Sequence, residues 1–149
     1  MDKFSLKNHV VLITGASSGI GRSCAIEASK LGATCIITGR SEAELIKTKE
    51  LCETPAQIFA GDLTNHDVIK QLVATLPNLD GVVHCAGITN PWPIKFLKPE
   101  HIKEMFDINF HAPVLLTTQL FQKNKINSTA SFIFISSISA QHPYFGGAT

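Results

Sequence analysis

A buried strand that runs directly into a glycine-rich turn constrains this 149-residue chain more than any other feature. Residues 10–14 are apolar or β-branched, and a segment compatible with a helix begins near residue 19. Between them, Gly15, Gly19 and Gly21 give the spacing Gly-x-x-x-Gly-x-Gly. Glycine allows a sharp backbone turn and close approach of an anion, which the N-terminus of the following helix attracts. The stretch therefore predicts a phosphate site.

The spacing of the glycines narrows the kind of phosphate that this turn can hold. It differs from the common dinucleotide fingerprint Gly-x-Gly-x-x-Gly. No Lys-Ser or Lys-Thr pair follows Gly21, so a nucleoside triphosphate would lack the ammonium group that its terminal phosphates need. A diphosphate held by backbone N–H groups remains. The alternative is a turn that merely joins a strand to a helix.

Composition indicates a single soluble domain. The formal net charge is +1, so no basic excess points to nucleic acid, and no apolar run approaches the roughly 18 residues that cross a membrane. The four cysteines are isolated and mostly lie in apolar segments, which favours core packing in a reducing compartment over disulfides or a metal site. We therefore expect one domain over residues 1–149, a cytoplasmic location, and neither a nucleic-acid nor a membrane partner.

Short apolar strands and helical segments alternate along the chain. The predicted strands cover residues 10–14, 34–38, 57–60, 79–85 and 131–135, and the predicted helices cover residues 19–31, 42–51, 65–76 and about 99–123. Such alternation is typical of a parallel sheet with right-handed crossovers. We predict a doubly wound α/β fold of the Rossmann type with strand order 3-2-1-4-5. A ligand should bind where that order reverses, at the carboxyl ends of the first and fourth strands.

Local patterns also predict how three helices begin, bend and pack. Ser41, followed three residues later by Glu44, predicts a capping box at the start of the second helix. Pro113, inside the last helical segment, predicts a kink or an internal break. The first helix should bury the side formed by Ile20, Cys24, Ala28 and Leu31.

Five motifs together identify a family. They are the run Thr14-Gly15-Ala16-Ser17-Ser18-Gly19-Ile20-Gly21, the pair Asp62-Leu63, the turn His84-Cys85-Ala86-Gly87, Asn109 and the pair Ser136-Ser137. In order and spacing they resemble the short-chain dehydrogenase/reductase family, and the resemblance covers essentially the whole chain. It implies an oxidoreductase that moves hydride between a nicotinamide cofactor and a small alcohol or carbonyl compound. It also implies a homo-oligomer.

The resemblance implies which residues hold the cofactor. Asp62 and the backbone of Leu63 would contact adenine, although Asp62 could also serve only as an Asx-turn residue before the next helix. Ala86 and Gly87 would approach the nicotinamide ribose. The complete expected set is Gly15, Ser17, Ser18, Gly19, Ile20, Gly21, Arg40, Asp62, Leu63, Ala86 and Gly87.

Arg40 predicts the kind of nicotinamide cofactor. An NAD site usually has a carboxylate at the end of the second strand, but here residues 38–41 contain no acid and the first is Glu42. A guanidinium at that point can chelate a 2′-phosphate, with Ser17, Ser18 and Ser41 as further donors. We therefore predict NADP(H), with NAD(H) less favoured. A solvated loop arginine is the alternative.

Two further residues acquire catalytic roles by resemblance. Ser137 would hydrogen-bond the substrate oxygen, with Ser136 and Ser139 as lesser candidates. Asn109 would bend its helix and hold a water of the proton relay. His84 and Cys85 replace two asparagines that are usual in the family, so we interpret His84 as a core histidine and expect Cys85 to weaken the link between strands.

The tyrosine and lysine that complete the family's chemistry are not matched. Tyr144 is the only tyrosine; it comes too early, and Ala148 stands four residues after it. We therefore expect the chain to be cut just before its proton donor, without the C-terminal part of the family fold, and to be inactive alone. The alternatives are a non-catalytic dinucleotide-binding or interaction protein, and a functionless fragment of an interrupted reading frame.

Overall fold

The computed structural model describes residues 4–138, which form a five-stranded parallel sheet. Its strands are β1 (Val10–Thr14), β2 (Thr34–Gly39), β3 (Ala56–Ala60), β4 (Leu79–His84) and β5 (Ile126–Phe134). The order across the sheet is β3-β2-β1-β4-β5, which confirms the predicted topology. The carboxyl ends of β1 and β4 are adjacent, because Thr14 pairs with His84.

Helices cover both faces of this sheet. They are α1 (Gly19–Lys30), α2 (Glu42–Glu50), α3 (His66–Thr75), α4 (Pro99–Phe106) and α5 (Ala112–Gln122). A π-helical turn, Asp107–His111, separates α4 from α5, so the break predicted near Pro113 is confirmed. Proline lacks the N–H that a regular helix needs, and the wider turn accommodates this loss. Among residues 4–138, no helix is both long and apolar enough to cross a membrane.

The start of β5 was predicted wrongly. The strand begins at Ile126, five residues before the apolar run that suggested it. Its polar first half pairs with β4, where Leu79 opposes Ile126 across an irregular register. The amide of Asn127 also donates to Asp80 Oδ1 at 2.7 Å. Pairing with a neighbouring strand, which local hydrophobicity does not report, therefore extends β5.

The buried side of α1 was predicted only in part. Cys24 and Ala28 pack against the core, as predicted, but the fully buried residues are Gly21, Ala25 and Ser29. Ile20 is 58% exposed, and Leu31 is exposed as well. The helix lies so close to the preceding turn that a Cβ atom on Gly21 would come within 2.3 Å of the Gly15 carbonyl oxygen. Only small side chains fit at that distance, so the larger ones lie to either side.

Half of the predicted capping box on α2 forms. The N–H of Glu44 donates to Ser41 Oγ at 3.4 Å. The Glu44 carboxylate does not complete the box, because Arg22 and Lys47 hold its two oxygens at 2.7 and 2.6 Å. The side chain thus ties α2 to α1.

Two apolar cores lie on opposite faces of the sheet. On one face, α3 and α5 pack against the sheet through Ile69, Leu72, Leu116 and Leu120. On the other face, α1 and α2 contribute Ala25 and Leu45 to a core with Ile13 and Ile37 of the sheet. Side chains of β1 alternate between the cores, as Leu12 and Ile13 show. Both cores hold the carboxyl edge of the sheet in place, and the candidate site lies on that edge.

Candidate functional site

A cleft of about 320 Å³ opens at the carboxyl ends of β1 and β4. It lies where the strand order reverses, as the sequence pattern predicted. All eleven residues predicted to hold a cofactor line this cleft. The π-helical turn also contributes, through Ile108. The structure thus brings the predicted set together, and its use in cofactor binding stays a prediction.

The glycine turn has two tightly packed positions and one open position. A Cβ atom on Gly15, which has a φ of +65°, would lie 2.7 Å from the backbone of Ala86, and Gly21 is equally confined. Around Gly19, which has a φ of +51°, nothing lies within 4 Å of the corresponding point. The first two glycines are therefore required by packing. Gly19 leaves the space through which an anion can reach the backbone.

The N-terminus of α1 faces this open space. The helix begins at Gly19, and the preceding residue, Ser18, provides no side-chain cap. The first N–H groups of a helix have no partners within the helix, and the helix dipole adds partial positive charge there. The turn and helix together offer a cradle for a diphosphate, as other strand–turn–helix phosphate sites do.

Thr14 connects the two strands that border the cleft. Its hydroxyl oxygen accepts hydrogen bonds from the backbone N–H groups of Cys85 and Ala86, at 3.1 and 3.0 Å. Thr14 therefore joins the ends of β1 and β4 through backbone N–H groups, and the expected weakening of the link by the Cys85 thiol stays a prediction. Sequence analysis gave Thr14 no role. The signal was a hydroxyl at the end of an otherwise apolar strand.

Cys85 itself supplies no charge to the cleft. Burial raises the pKa of its thiol to about 12, and the neighbouring Cys24 thiol adds to this effect. The thiol is therefore protonated at neutral pH, and its side chain packs against the core beneath α1.

Asn109 clamps the loop that follows β4. Its side-chain nitrogen donates to the Ile88 carbonyl at 2.9 Å, and its side-chain oxygen accepts from the Ile88 N–H at 2.8 Å. Gly87 lies against the same group, since a Cβ atom there would be 3.2 Å from Asn109 Oδ1. These contacts explain an asparagine in the middle of a helical segment. Its implied role in holding a water stays a prediction.

The cleft region contains two arginines with different surroundings. Arg22 is held by Thr48 Oγ1 at 2.9 Å, by Glu44 Oε2 at 2.7 Å and by the Ser17 carbonyl. Arg40 is exposed on the cleft, and within residues 4–138 its guanidinium has neither an ion pair nor a hydrogen bond. Arg22 therefore holds the fold together, whereas Arg40 is available to an anionic ligand.

Ser17 lies beside the strand end that carries Arg40. A Cβ atom on Gly39 would be 3.2 Å from Ser17 Oγ, so the absence of a side chain at Gly39 leaves room for this hydroxyl. The guanidinium and the hydroxyl line the same cleft. Together they form a cationic donor group at the end of β2, a position where NAD sites usually carry a carboxylate.

Asp62 forms the Asx turn that was considered as its alternative role. Its Oδ1 accepts from the N–H of Thr64 at 2.9 Å and from the Thr64 hydroxyl at 2.8 Å. The residue also lines the cleft next to Leu63. The turn and an adenine contact are compatible, because the carboxylate has a second oxygen.

His84 is buried, as expected of a core histidine. Its Nε2 lies 3.1 Å from Thr117 Oγ1, and its ring stacks on Phe134 at a centroid distance of 4.7 Å. Within residues 4–138, Nδ1 has no hydrogen-bond partner. Burial lowers the pKa of this imidazole to about 4, so the ring is neutral at physiological pH.

Unlike the predicted cofactor-binding residues, the predicted catalytic serines do not line the cleft of the described chain. Ser136 and Ser137 follow β5 and are exposed, and neither lines the cleft of the described chain. Ser139 and Tyr144 lie outside the described residues. The assignment of Ser137 to the substrate oxygen stays a prediction.

Comparison with known proteins identifies relatives along most of the chain. The family model described as short chain dehydrogenase matches residues 9–149. An uncharacterised oxidoreductase of Escherichia coli K12 is 30% identical over 143 residues, which cover 89% of this chain and 57% of that protein. A 3-oxoacyl-acyl-carrier-protein reductase of Rickettsia bellii is 35% identical over 133 residues, with coverages of 89% and 55%.

A solved structure agrees in fold. A Shigella flexneri short chain dehydrogenase complexed with NADP matches with a TM-score of 0.82 and 29% identity, covering 96% of this chain and 64% of that one. The chain spans little more than half the length of the two curated relatives. Because the family model extends over nearly all of the sequence, this protein belongs to the short-chain dehydrogenase family.

Proposed function

We propose that the cleft binds NADP(H), as the cofactor site of an oxidoreductase that transfers hydride between nicotinamide and a small alcohol or carbonyl compound. The observation that carries the proposal is Arg40, an exposed cation at the end of β2 that has no partner within residues 4–138. Guanidinium groups bind phosphate through paired, charge-assisted hydrogen bonds. A cation at this point favours a ribose that carries a 2′-phosphate.

The other lining residues fit the rest of a dinucleotide. The open turn at Gly19 and the N-terminus of α1 would hold the diphosphate. Asp62 and Leu63 would contact adenine, and Ala86 and Gly87 would contact the nicotinamide ribose. Asn109 would fix the backbone beside that ribose through its two hydrogen bonds to Ile88.

Hydride chemistry belongs to the bound nicotinamide, and the protein's part is to orient the substrate and move a proton. In the complete protein, Ser137 would hold the substrate oxygen. The 149 residues contain a single tyrosine, Tyr144, with Ala148 rather than lysine four residues on. We therefore propose that this chain binds cofactor but has negligible turnover by itself.

We also propose that the protein functions in a reducing cytoplasm and forms a homo-oligomer. Four free cysteines suit a reducing compartment. Exposed apolar side chains on the second half of the chain, such as Phe110 and Phe121, suit association between copies.

Fluorescence titration with NADPH and NADH tests the proposal. NADPH should bind more tightly than NADH, and Arg40→Ala should weaken NADPH binding by about 10- to 100-fold, as expected for loss of charged hydrogen bonds. The matched control is Lys49→Ala, an exposed cation on α2 that should have no effect. Equal affinity of the two cofactors, or of the Arg40 variant and the parent, would contradict the choice of NADP(H). Measurable reduction of any carbonyl by the chain alone would contradict its inactivity.

A further inference from the structure

A protruding segment before α4 exposes apolar side chains that neither core uses. We call residues 92–98 the apolar knuckle. Ile94 is 76% exposed, Phe96 is 58% exposed and Trp92 is 37% exposed. Isolated exposed apolar residues are ordinary, but three within five positions on one protrusion form a patch. The cofactor site does not account for them, since none of the three lines the cleft.

The apolar knuckle is held in a defined shape. A short 3₁₀ turn forms at its centre, with the Phe96 N–H donating to the Pro93 carbonyl at 2.8 Å. The Trp92 ring stacks on His101 at a centroid distance of 4.0 Å and an angle of 5°. The Nδ1 atom of the same imidazole accepts a hydrogen bond from the Lys98 N–H at 3.2 Å. The apolar side chains are therefore held in position before any partner binds.

Positive charge accompanies the exposed apolar side chains of the apolar knuckle. Lys95 and Lys98 lie within it, and no acidic residue occurs between Asp80 and Glu100. The Lys95 ammonium lies 5.7 Å from the centre of the Phe96 ring, so cation and apolar surface are adjacent. Positive charge interleaved with aromatic and aliphatic side chains is complementary to a partner that has an anionic outer layer and an apolar interior.

Helix α2 provides an internal comparison. It also exposes two apolar residues, Ile46 and Leu51, beside Lys47 and Lys49. Its acidic residues, however, balance these lysines, and one of them pairs directly with Lys47. The apolar knuckle has no such balance, because residues 81–99 contain no acid, so an anionic partner suits it better than it suits α2.

We propose that the apolar knuckle docks onto an anionic lipid bilayer, with Ile94 and Phe96 entering the headgroup region and Lys95 and Lys98 meeting the lipid phosphates. Aromatic and aliphatic side chains at an interface gain from burial, and lysines extend their ammonium groups toward the headgroups. The contact is peripheral and needs no spanning helix; it departs from the expectation, drawn from composition, that the protein has no membrane partner. It is independent of NADP(H), so it stands or falls separately from the proposed cofactor site.

The test uses the single tryptophan of the chain, Trp92, as a reporter within the apolar knuckle. The full chain is mixed with phosphatidylcholine vesicles with and without phosphatidylglycerol, and binding is measured by flotation. Binding to the anionic vesicles should shift Trp92 emission to the blue, and brominated lipids should quench it. Saturating NADPH should change neither result.

Matched variants locate the contact. Ile94→Ser with Phe96→Ser should lower partition into anionic vesicles by at least ~10-fold, the effect of withdrawing one apolar side chain from a buried position. Lys95→Glu with Lys98→Glu should lower it by a similar factor. The controls on α2, Ile46→Ser with Leu51→Ser and Lys47→Glu with Lys49→Glu, should leave it unchanged.

Four outcomes would overturn the proposal. They are no flotation with anionic vesicles, equal binding to both kinds of vesicle, binding without a change in Trp92 emission, and equal losses in the α2 controls. A blue shift that grows with protein concentration in the absence of vesicles would also overturn it, because it would make the apolar knuckle a contact between copies.

Discussion

The two halves of the sheet differ in how completely they bury their own apolar surface. In the nucleotide half, residues 9–61, α1 and α2 cover one face of β1 and β2, and Arg22 links the two helices through Glu44 and Thr48. In the β5 half, residues 79–138, many large apolar side chains remain exposed; they include Phe106, Phe110, Phe121, Ile133, Phe134 and Ile135.

This difference suggests that cofactor binding and association between copies depend on different halves of the chain. The nucleotide half contains a network of packing and hydrogen bonds around the glycine turn, and the Ala86 backbone of the other half completes it by packing against Gly15. The β5 half has the same strand pairing, with five matched positions between β4 and β5, but lacks cover on its outer surface. Exposed apolar surface of that kind favours association. We therefore expect changes in the first half to act on cofactor binding and changes in the second to act on stability and association.

Gly21→Ala should produce the largest effect. The new Cβ atom would lie 2.3 Å from the Gly15 carbonyl oxygen, which is backbone and cannot move without opening the turn. We expect a loss of about 3 kcal/mol or more in the free energy of unfolding, together with loss of NADPH binding. Denaturant unfolding and NADPH titration measure both.

The control for this change is Gly19→Ala. That position has a φ of +51° but open space around the added atom, so we expect only about 1 kcal/mol of destabilisation. If both variants were equally stable, the cradle of the nucleotide half would not be as tightly packed as described.

Lowering the pH should destabilise the β5 half through His84. The pKa of this imidazole is lowered to about 4 by burial, below its usual value of 6.5, so the unfolded chain binds the proton more readily. Stability is therefore fully present above pH 6.5 and falls as the pH drops toward 4, by roughly 3 kcal/mol in total.

Unfolding in denaturant across that pH range measures the effect. In His84→Gln, which cannot take up the proton, the part of the pH dependence due to this residue should disappear. A parent and variant with identical pH profiles would show that the buried ring at the β4–β5 junction does not control stability.

Thr14→Val tests the link between the halves. The substitution keeps the shape of the side chain but leaves the N–H groups of Cys85 and Ala86 without their acceptor. We expect a loss of about 2 kcal/mol in stability, with faster hydrogen exchange at these two amides. Thr14→Ser retains the hydroxyl and should keep both amides protected. Unchanged exchange in the valine variant would contradict the role given to Thr14.

The smallest effect on stability should come from replacing Phe110 and Phe121 by serine. Both rings are more than half exposed, at 56% and 57%, so stability should change by no more than about 0.5 kcal/mol for each. Self-association, measured by sedimentation velocity, should nevertheless decrease. An unchanged association state would show that other surfaces of the β5 half join the copies.

Much of the fold could be predicted because its strands carry strong local patterns. The buried runs at β1 and β2 and the glycine turn between β1 and α1 follow from apolar periodicity and backbone chemistry alone. The first half of β5 could not be predicted in this way. It contains polar residues that become a strand only by pairing with β4, and pairing between distant segments leaves no local trace.

The same distinction applies to the site. The family resemblance implied eleven of the residues that line the cleft; they lie together because they follow strand ends and all parallel strands end at one edge. Spacing did not reveal that Arg22 binds Glu44 and Thr48, while Arg40 has no partner among the residues that the structure describes. Partners of long side chains depend on neighbours that only the packed helices bring near.

The sequence by itself determined the layered α/β architecture, the order of its strands and the edge at which a ligand would bind. Tertiary structure alone decided which face of α1 is buried, that Thr14 joins the ends of β1 and β4, and that Asn109 holds the Ile88 backbone. The physical reason is the separation along the chain over which each kind of interaction acts. Periodicity and turn chemistry act between neighbours in the chain, whereas close packing and hydrogen-bond partners arise between residues that are far apart in sequence and adjacent in space.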